Sequence, residues 1–504
     1  MPFSPSPVLP GRSPRPPPGP LPASGVARRL AALIALPVLV VALVVGQIVL
    51  PQLLFLVPGL QAQASVNTGG GASGLAFQGF VYPWMRREHD ANSGYTASVS
   101  LQNMQSQSST FHMNAVIIPV VANMPERSER YIAWHNTDKF DVDTLPESDY
   151  VRAITDARKA GLLPILELQM SQQDNLISLG NESGTLVGTA WSGEPSTAYI
   201  QNEEQGSNSI ATLERQWFDN YTMFAVHFAQ LSQQYHLPYY IIGDELINVS
   251  YDTSSTNAKN DPKGIDRGVP GDTCPANAAG RRDCEWRHVV NAIRSPTYNQ
   301  IANHKKSLPG GAYSGKLIYA ASWTGASVGN ATDSEFDHIT WWDAVDYIGV
   351  DAGFPLMANQ RDAGLDALVS AWHGTGTNLA ALHNDIYGRI AKVASTYGRP
   401  VIFTSAGYNS VGGANSLAFQ SSNFISAVED DAEQYNDMRA LLLTFSAAPW
   451  WQGVFWNNDQ PIPRDKQANW TTSTAWAGPT LATSKEAGQW LAKYYRAAPI
   501  HCSC

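Results

Sequence analysis

Nothing in this chain offers a ready cofactor site. No Gly-rich phosphate turn follows its first β-rich run, no His-Glu-x-x-His motif occurs, and four cysteines in 504 residues form no cluster at zinc spacing. A bound phosphate needs backbone N–H groups converging at a helix start, and a structural zinc needs four convergent ligands. No cofactor and no metal is therefore expected. Positive charge is scarce too: 33 Lys and Arg stand against 43 Asp and Glu, a net charge of −10, with no basic cluster beyond the N-terminus. A nucleic-acid backbone would be repelled, so nucleic acid is excluded as a partner.

The N-terminus lacks something different. Residues 1–29 hold Pro14, Pro16, Pro17, Pro18 and Pro20 with Arg12, Arg15, Arg28 and Arg29 and no acid, a composition that builds no core and predicts a disordered tail. From Leu30 to Leu60 no side chain is charged. That run exceeds the roughly 20 apolar residues a bilayer crossing needs and the usual signal-peptide core of about 7–15. Residues 30–60 are read as a transmembrane anchor or a long signal sequence. The preceding arginines put the N-terminus in the cytoplasm and the rest of the chain outside, in a single-pass arrangement at the cell membrane. Ala62-Gln63-Ala64 resembles a signal-peptidase site, so secretion after cleavage near Ala64 is the alternative. Residues 65–75 read as a linker, 76–497 as the folded domain and 498–504 as a tail.

Cysteine usage agrees with export. Cys274 and Cys284 flank a short Pro/Ala/Gly/Arg-rich loop, and a disulfide closing it is the expected outcome in an oxidising compartment. Cys502 and Cys504 near the end read as a frayed tail.

Past the linker, short β-rich runs alternate with helical periodicity. The runs 77–82, 114–121, 162–168, 239–243, 317–321, 347–350, 401–404 and 453–456 are each bounded by turn signals. The clearest helix spans 211–235, where Trp217, Tyr221, Phe224, Phe228 and Leu231 recur at three- and four-residue spacing. Eight strands joined by helical crossovers predict an α/β fold, a parallel sheet closed into a (β/α)8 TIM barrel. An open doubly wound sheet is the alternative. Polar stretches at about 173–210 and 250–283 interrupt the rhythm after the third and fourth strands and read as loops shaping a cleft.

In such a barrel the C-terminal strand ends converge on one mouth. Those ends carry Trp84, Glu167, Asp244, Glu245, Trp323, Asp351, Ser405, Tyr408, Trp456 and Asp459. Acids facing aromatic platforms suit glycosidic cleavage: one carboxyl protonates the leaving oxygen while another attacks the anomeric carbon or activates water. Strand-end acids also cap helices or pair with arginine, so no single one carries the reading.

The motifs narrow it. Trp217–Phe224, Ile242-Gly243-Asp244-Glu245-Leu246, Gly315–Trp323, Trp342–Asp351, Phe354-Pro355-Leu356, Phe403–Tyr408 and Gly453–Trp456 follow in order along the predicted strands. Over about 77–495 the chain resembles glycoside hydrolase family 113, barrel enzymes associated with β-mannan hydrolysis. The resemblance implies a retaining mechanism with Glu245 as general acid/base. It places the nucleophilic glutamate of the seventh strand where this chain has Ser405. A serine hydroxyl is neutral near pH 7, is shorter than a glutamate, and has no histidine beside it in sequence to activate it. Gly353 stands where the family tends to have tyrosine, and Asp244 where related barrels usually have asparagine. A carboxylate at Asp244 is expected to raise the pKa of Glu245 by like-charge repulsion.

The expected site is therefore Glu245 and Asp351 as catalytic groups, with Trp84, Asp244, Trp323, Ser405, Tyr408 and Trp456 at the substrate. The expected partner is a polysaccharide or oligosaccharide, β-linked and mannan-like, and the chain is taken as a monomer. Three functions stay open: a hydrolase with an altered mechanism, an inactive carbohydrate-binding pseudo-glycosidase at the cell surface, and an anchored structural domain.

Overall fold

A computed structural model describes residues 75–82, 100–124, 132, 134, 145–172, 210–251, 265–266, 273–274, 281–295, 312–324, 334–358, 363–380, 385–416, 430–457 and 485–496. The chain divides into Met1–Val66 and Asn67–Cys504, and every described residue belongs to the second unit. The expected tail at 1–29 and the apolar run 30–60 lie outside the described residues. Among the described residues, no helix is long and apolar enough to cross a membrane.

Eight parallel strands close into a barrel: β1 (Phe77–Val81), β2 (Ala115–Met124), β3 (Leu163–Gln172), β4 (Tyr239–Asp244), β5 (Lys316–Ser322), β6 (Tyr347–Asp351), β7 (Val401–Ala406) and β8 (Trp451–Asn457). Every strand neighbours the next in sequence, and β1 pairs with β8 to complete the ring. Among the described residues, eight longer helices lie between and after them: α1 (Ser100–Phe111), α2 (Glu147–Lys159), α3 (Ile210–Gln234), α4 (Arg281–Arg294), α5 (Leu365–Trp372), α6 (Ile386–Tyr397), α7 (Asp431–Phe445) and α8 (Glu486–Arg496). All eight strands coincide with the predicted runs, extended by a few residues at most. A two-residue antiparallel pair, Ile265–Asp266 with Thr273–Cys274, precedes α4.

The strands read so clearly because parallel strands are covered on both faces. All ten residues of β2 are buried. One face of each strand meets the helices. On α3, the Trp217 and Tyr221 rings stack at 4.7 Å, and Phe224 and Phe228 meet edge-on at 5.4 Å. Tyr221 donates its hydroxyl to Ile242 O, and Tyr240 returns one to Ala225 O, which fixes α3 against β4.

The other face fills the barrel in layers. At the N-terminal end, Phe77 meets Tyr239 at 5.0 Å, Phe455 at 5.7 Å and Tyr347 at 6.4 Å. Above this floor, strand alternation points Ile117, Ile165, Ile241, Ile318 and Ile402 inward, all fully buried. The layer after that is polar, and it begins where two ladders slip. Register shifts fall between Ile241 and Asp244 on the β4–β5 pair, and between Val350 and Asp351 on the β6–β7 pair. Each slip changes which side chain faces in.

Closure of the ring has one tight point. Gly453 adopts φ +140°, and a Cβ there would lie 1.9 Å from the carbonyl oxygen of Phe77 on β1. Gly453→Ala is expected to destabilise the chain by at least about 1–3 kcal/mol from backbone strain alone, read as a lower midpoint in urea. An unchanged midpoint would mean that β1 and β8 do not approach this closely.

Candidate active site

The slip in β4 builds the site. Simple alternation from Ile241 would turn Gly243 inward, yet a Cβ on Gly243 would meet Tyr221, Tyr319 and Trp286 in the helix layer. Gly243 therefore faces out and Asp244 faces in. Glu245 follows with φ +48°, in the left-handed region that a non-glycine residue occupies only under constraint. Such a conformation costs of order 1–3 kcal/mol, and strain of this kind gathers at functional positions. The Glu245 N–H donates to Ala320 O at 2.9 Å, which secures the turn to β5. Trp286 and Trp341, stacked at 4.7 Å, donate their indole N–H groups to Val249 O and Ser250 O and hold the helical turn beyond it.

Glu245 is half-buried, and its Oε1 accepts from the Ser322 hydroxyl at 2.8 Å. Ser322 pairs across the ladder with Asp351, and Asp351 pairs with Ser405. The ends of β4, β5, β6 and β7 thus carry Glu245, Ser322, Asp351 and Ser405 at one mouth. Ser405 is half-buried and donates to Asn457 Oδ1 at 3.1 Å. Glu167 on β3 joins from the opposite side, at the register of Ile241.

Four carboxyls crowd this space, and their environments separate their proton affinities. Asp351 accepts from Thr404 at 2.8 Å and from Asp244. Burial is the first cause that pushes Asp244 well above the usual carboxylate range; the charges of Asp351 and Glu167 and the bond to Asp351 add to it. The charge of Glu245 is a further, smaller cause of the rise at Asp244. The affinity of Asp351 is raised by burial and lowered by its bonds from Asp244 and Thr404. Glu167, 3% exposed, is likewise pushed well above the usual range by burial and then by the charge of Asp351, against the Gln169 amide bond at 3.0 Å, with Glu245 adding a smaller rise.

Other expected site residues fall elsewhere. Trp456 is not at the mouth: Phe455 takes the inner face against Phe77, so Trp456 turns outward, is buried, and donates its indole N–H to Tyr495 of α8 at 2.8 Å. Tyr408 is also buried, behind β7, where Gln434 of α7 bonds its carbonyl. Proximity to a strand end suggested both, but strand parity decides which side of the wall a ring occupies. Asp351 is in the cluster but nearly enclosed, at 6% exposure. Trp323 is half-buried at the end of β5, edge-on to Phe354 at 6.3 Å, and is the aromatic that the structure leaves at the mouth among the described residues. Trp84 and Asp459 lie outside the described residues. Cys284, in the first turn of α4, is disulfide-bonded.

Two contributors were missed. Thr404, next to Ser405, bonds Asp351, and parity within β7 would have signalled it. Glu335, in the short turn Glu335–His338, is fully buried and accepts from Tyr319 OH and Ser322 N at 2.6 Å each and from Ser250. Burial, opposed by those three donors, brings its pKa up to about 7. Among the described residues, no group of three or more His, Cys, Asp or Glu side chains is arranged to hold a metal ion.

A family model described as Glycoside Hydrolase Family 113 matches residues 273–474. Among solved structures, a complex of a GH113 beta-1,4-mannanase superposes with a TM-score of 0.54 at 14% identity, covering 84% of this chain and 99% of that one. The GH113 beta-mannanase AaManA from Alicyclobacillus acidocaldarius, in complex with ManMIm, gives a TM-score of 0.54 at 14% identity, covering 84% and 98%. At this identity the likeness is one of fold. No curated protein matches the chain.

The carboxyl cluster has a consequence for stability. Glu167, Asp244, Glu335, Asp351 and the buried Asp437 all have raised folded-state affinities, while Asp343 and Asp346 are lowered and titrate below the acidic window. A raised group contributes stability that is fully present below its unfolded pKa and lost as pH climbs through the folded one. For Glu335 that loss runs from the ordinary glutamate value of 4.5 to about 7. The thermal midpoint at constant ionic strength is therefore expected to be higher near about pH 5 than near about pH 8. A midpoint that climbs over this interval would mean that these carboxyls are ionised in the folded chain.

Proposed function

We propose that this chain is a glycoside hydrolase-type protein that engages a β-linked, mannan-like polysaccharide at the strand-end mouth, with Glu245 as its acid/base. The observation that carries the reading is the placement of Glu245: half-exposed on the rim, fixed by Ser322, with Trp323 on the adjacent strand end. The match of residues 273–474 to Glycoside Hydrolase Family 113 supports it.

Chemistry at Ser405 sets the mechanism. Double displacement needs a second carboxylate about 5–5.5 Å from the acid, and on the family resemblance the neutral hydroxyl of Ser405 takes the place of that carboxylate. The route left is single displacement. Glu245 gives its proton to the glycosidic oxygen as the bond to the anomeric carbon breaks. A water beside Ser405 adds to the opposite face of the sugar and passes its proton to Asp351. A second reading, carbohydrate binding without turnover, is favoured by one observation: Asp351 is 6% exposed and already accepts from Thr404 and Asp244, which limits its access to water.

The setting we propose is outside the cytoplasm, with residues 30–60 as membrane anchor or cleaved leader. The uncharged run from Leu30 to Leu60 and the disulfide at Cys284 support that placement.

The test uses the full chain in detergent, assayed for binding of β-mannan and for release of reducing ends. Single displacement predicts release with inverted anomeric configuration and a loss of about 10²–10⁴-fold in Glu245→Gln. Ser405→Glu, which supplies a second carboxylate, is expected to shift the product toward retention. Binding without release in the parent, with release appearing in Ser405→Glu, would establish the silent reading. Neither binding nor release in any variant would defeat both.

A further inference from the structure

One buried carboxyl outside the strand ends is wired to the acid/base from three directions. Glu335 is enclosed and cannot meet a substrate, yet each of its three partners leads to the turn that carries Glu245. Its Oε2 accepts from the Ser322 N–H, and the Ser322 hydroxyl donates to Glu245 Oε1. Its Oε1 accepts from Tyr319 OH, and that same phenol oxygen accepts from the Leu246 N–H at 3.1 Å, the peptide directly after Glu245. Oε1 also accepts from Ser250, at the end of the helical turn that follows.

The mounting is rigid. The Glu335 N–H donates to Thr324 O at 2.9 Å, the Ser334 hydroxyl to Trp323 O at 2.6 Å, and the Trp342 indole to Phe336 O at 3.1 Å. From α6, Arg389 bonds Ser334 at 2.9 Å, pairs with Asp337, and lies over the Phe336 ring at 5.2 Å. A group so fixed acts on its partners as a brace.

We propose that Glu335 is a positioning residue that holds Glu245 in its left-handed conformation and aims its carboxyl across the mouth, through Ser322 on one side and Tyr319 on the other. The proposal rests on the reading of Glu245 as the acid/base. Its chemistry follows from counting donors. The ionised carboxylate accepts all three. A proton on Oε2 would oppose the Ser322 N–H, and a proton on Oε1 would reverse the bond to Tyr319 or to Ser250, whose hydroxyl can turn to Ile247 O at 3.3 Å, so protonation alters one arm of the brace. The groups facing it are Tyr319, Ser250 and Ser322, with the charge of Asp351 across the mouth raising its proton affinity. Arg389 and Asp337 are paired with each other at the outer edge of the same turn. The brace is therefore intact above about pH 7 and loosened below it.

Two arms test this on the full chain. The first is structural: crystal structures of the parent, Glu335→Gln and Tyr319→Phe. The amide of Glu335→Gln sets a donor against Ser322 N–H, or loses the phenol if turned over. The expected result is that the Ser322–Glu245 bond is lost and Glu245 leaves its positive φ. Tyr319→Phe keeps the ring and removes one link, so it reports on the brace if Glu335→Gln fails to fold. Glu245 unmoved in both would overturn the proposal. The second arm measures pH profiles with a β-1,4-linked mannan oligosaccharide. The parent is expected to show a transition near pH 7 in turnover, or in affinity if it only binds. In Glu335→Gln that transition disappears, and kcat falls by about 10²-fold while KM stays within about threefold. Asp437→Asn removes a buried carboxyl of similar kind behind β7 and is expected to keep the parent's profile. An identical flattening in Asp437→Asn would assign the effect to general destabilisation and overturn the proposal. If the parent neither binds nor cleaves the oligosaccharide, the glycosidase reading fails, and the structural arm still decides whether Glu335 positions Glu245.

Discussion

The site depends on a single slip in a hydrogen-bond ladder. Between Ile241 and Asp244 the pairing of β4 with β5 loses register, so Gly243 turns to the helices and Asp244 to the lumen. Without that change of parity, Asp244 would be buried among Tyr221, Tyr319 and Trp286, and Glu245 would continue a regular strand. With it, Glu245 sits at the rim with φ +48°, aimed along the mouth instead of through the wall. A bulge next to a functional position is a common way to re-aim a side chain, and here the surrounding bonds are what make it stable.

Electrostatics follows from the same geometry. Inward parity brings Glu167, Asp244 and Asp351 together over a floor of isoleucines and aromatic rings, with no cation among the described residues at the cluster. Like charges in so dry a place oppose one another's ionisation, and the proton affinities of Glu167 and Asp244 rise furthest. Thr404 and Asp244 hold the affinity of Asp351 down against its burial, and the same contacts leave it poorly placed to meet solvent. The features that lower its proton affinity restrict its freedom as a base.

Much of the fold was legible in the sequence. Parallel strands buried on both faces appear as short continuous apolar runs, and all eight were found from that signal alone. The same signal puts Asp244 and Glu245 at the end of the fourth strand, and the structure has them there. What the sequence did not reveal is orientation. Trp456 and Tyr408 stand close to strand ends and were assigned to the mouth, yet parity sends Trp456 into the helix layer and packs Tyr408 behind β7. One-residue slips decide such questions, and they leave no compositional trace. Glu335 was invisible for another reason. It lies in a four-residue turn, in no motif, and its three partners are 13, 16 and 85 residues away in the chain.

The most direct test of the account is a crystal structure with a β-1,4-linked mannan oligosaccharide bound. The account predicts a glycosidic oxygen within hydrogen-bond distance of Glu245, a sugar face against Trp323, and an anomeric carbon opposite Ser405. An oligosaccharide seated away from the strand ends, or one whose linkage oxygens all point away from Glu245, would contradict it.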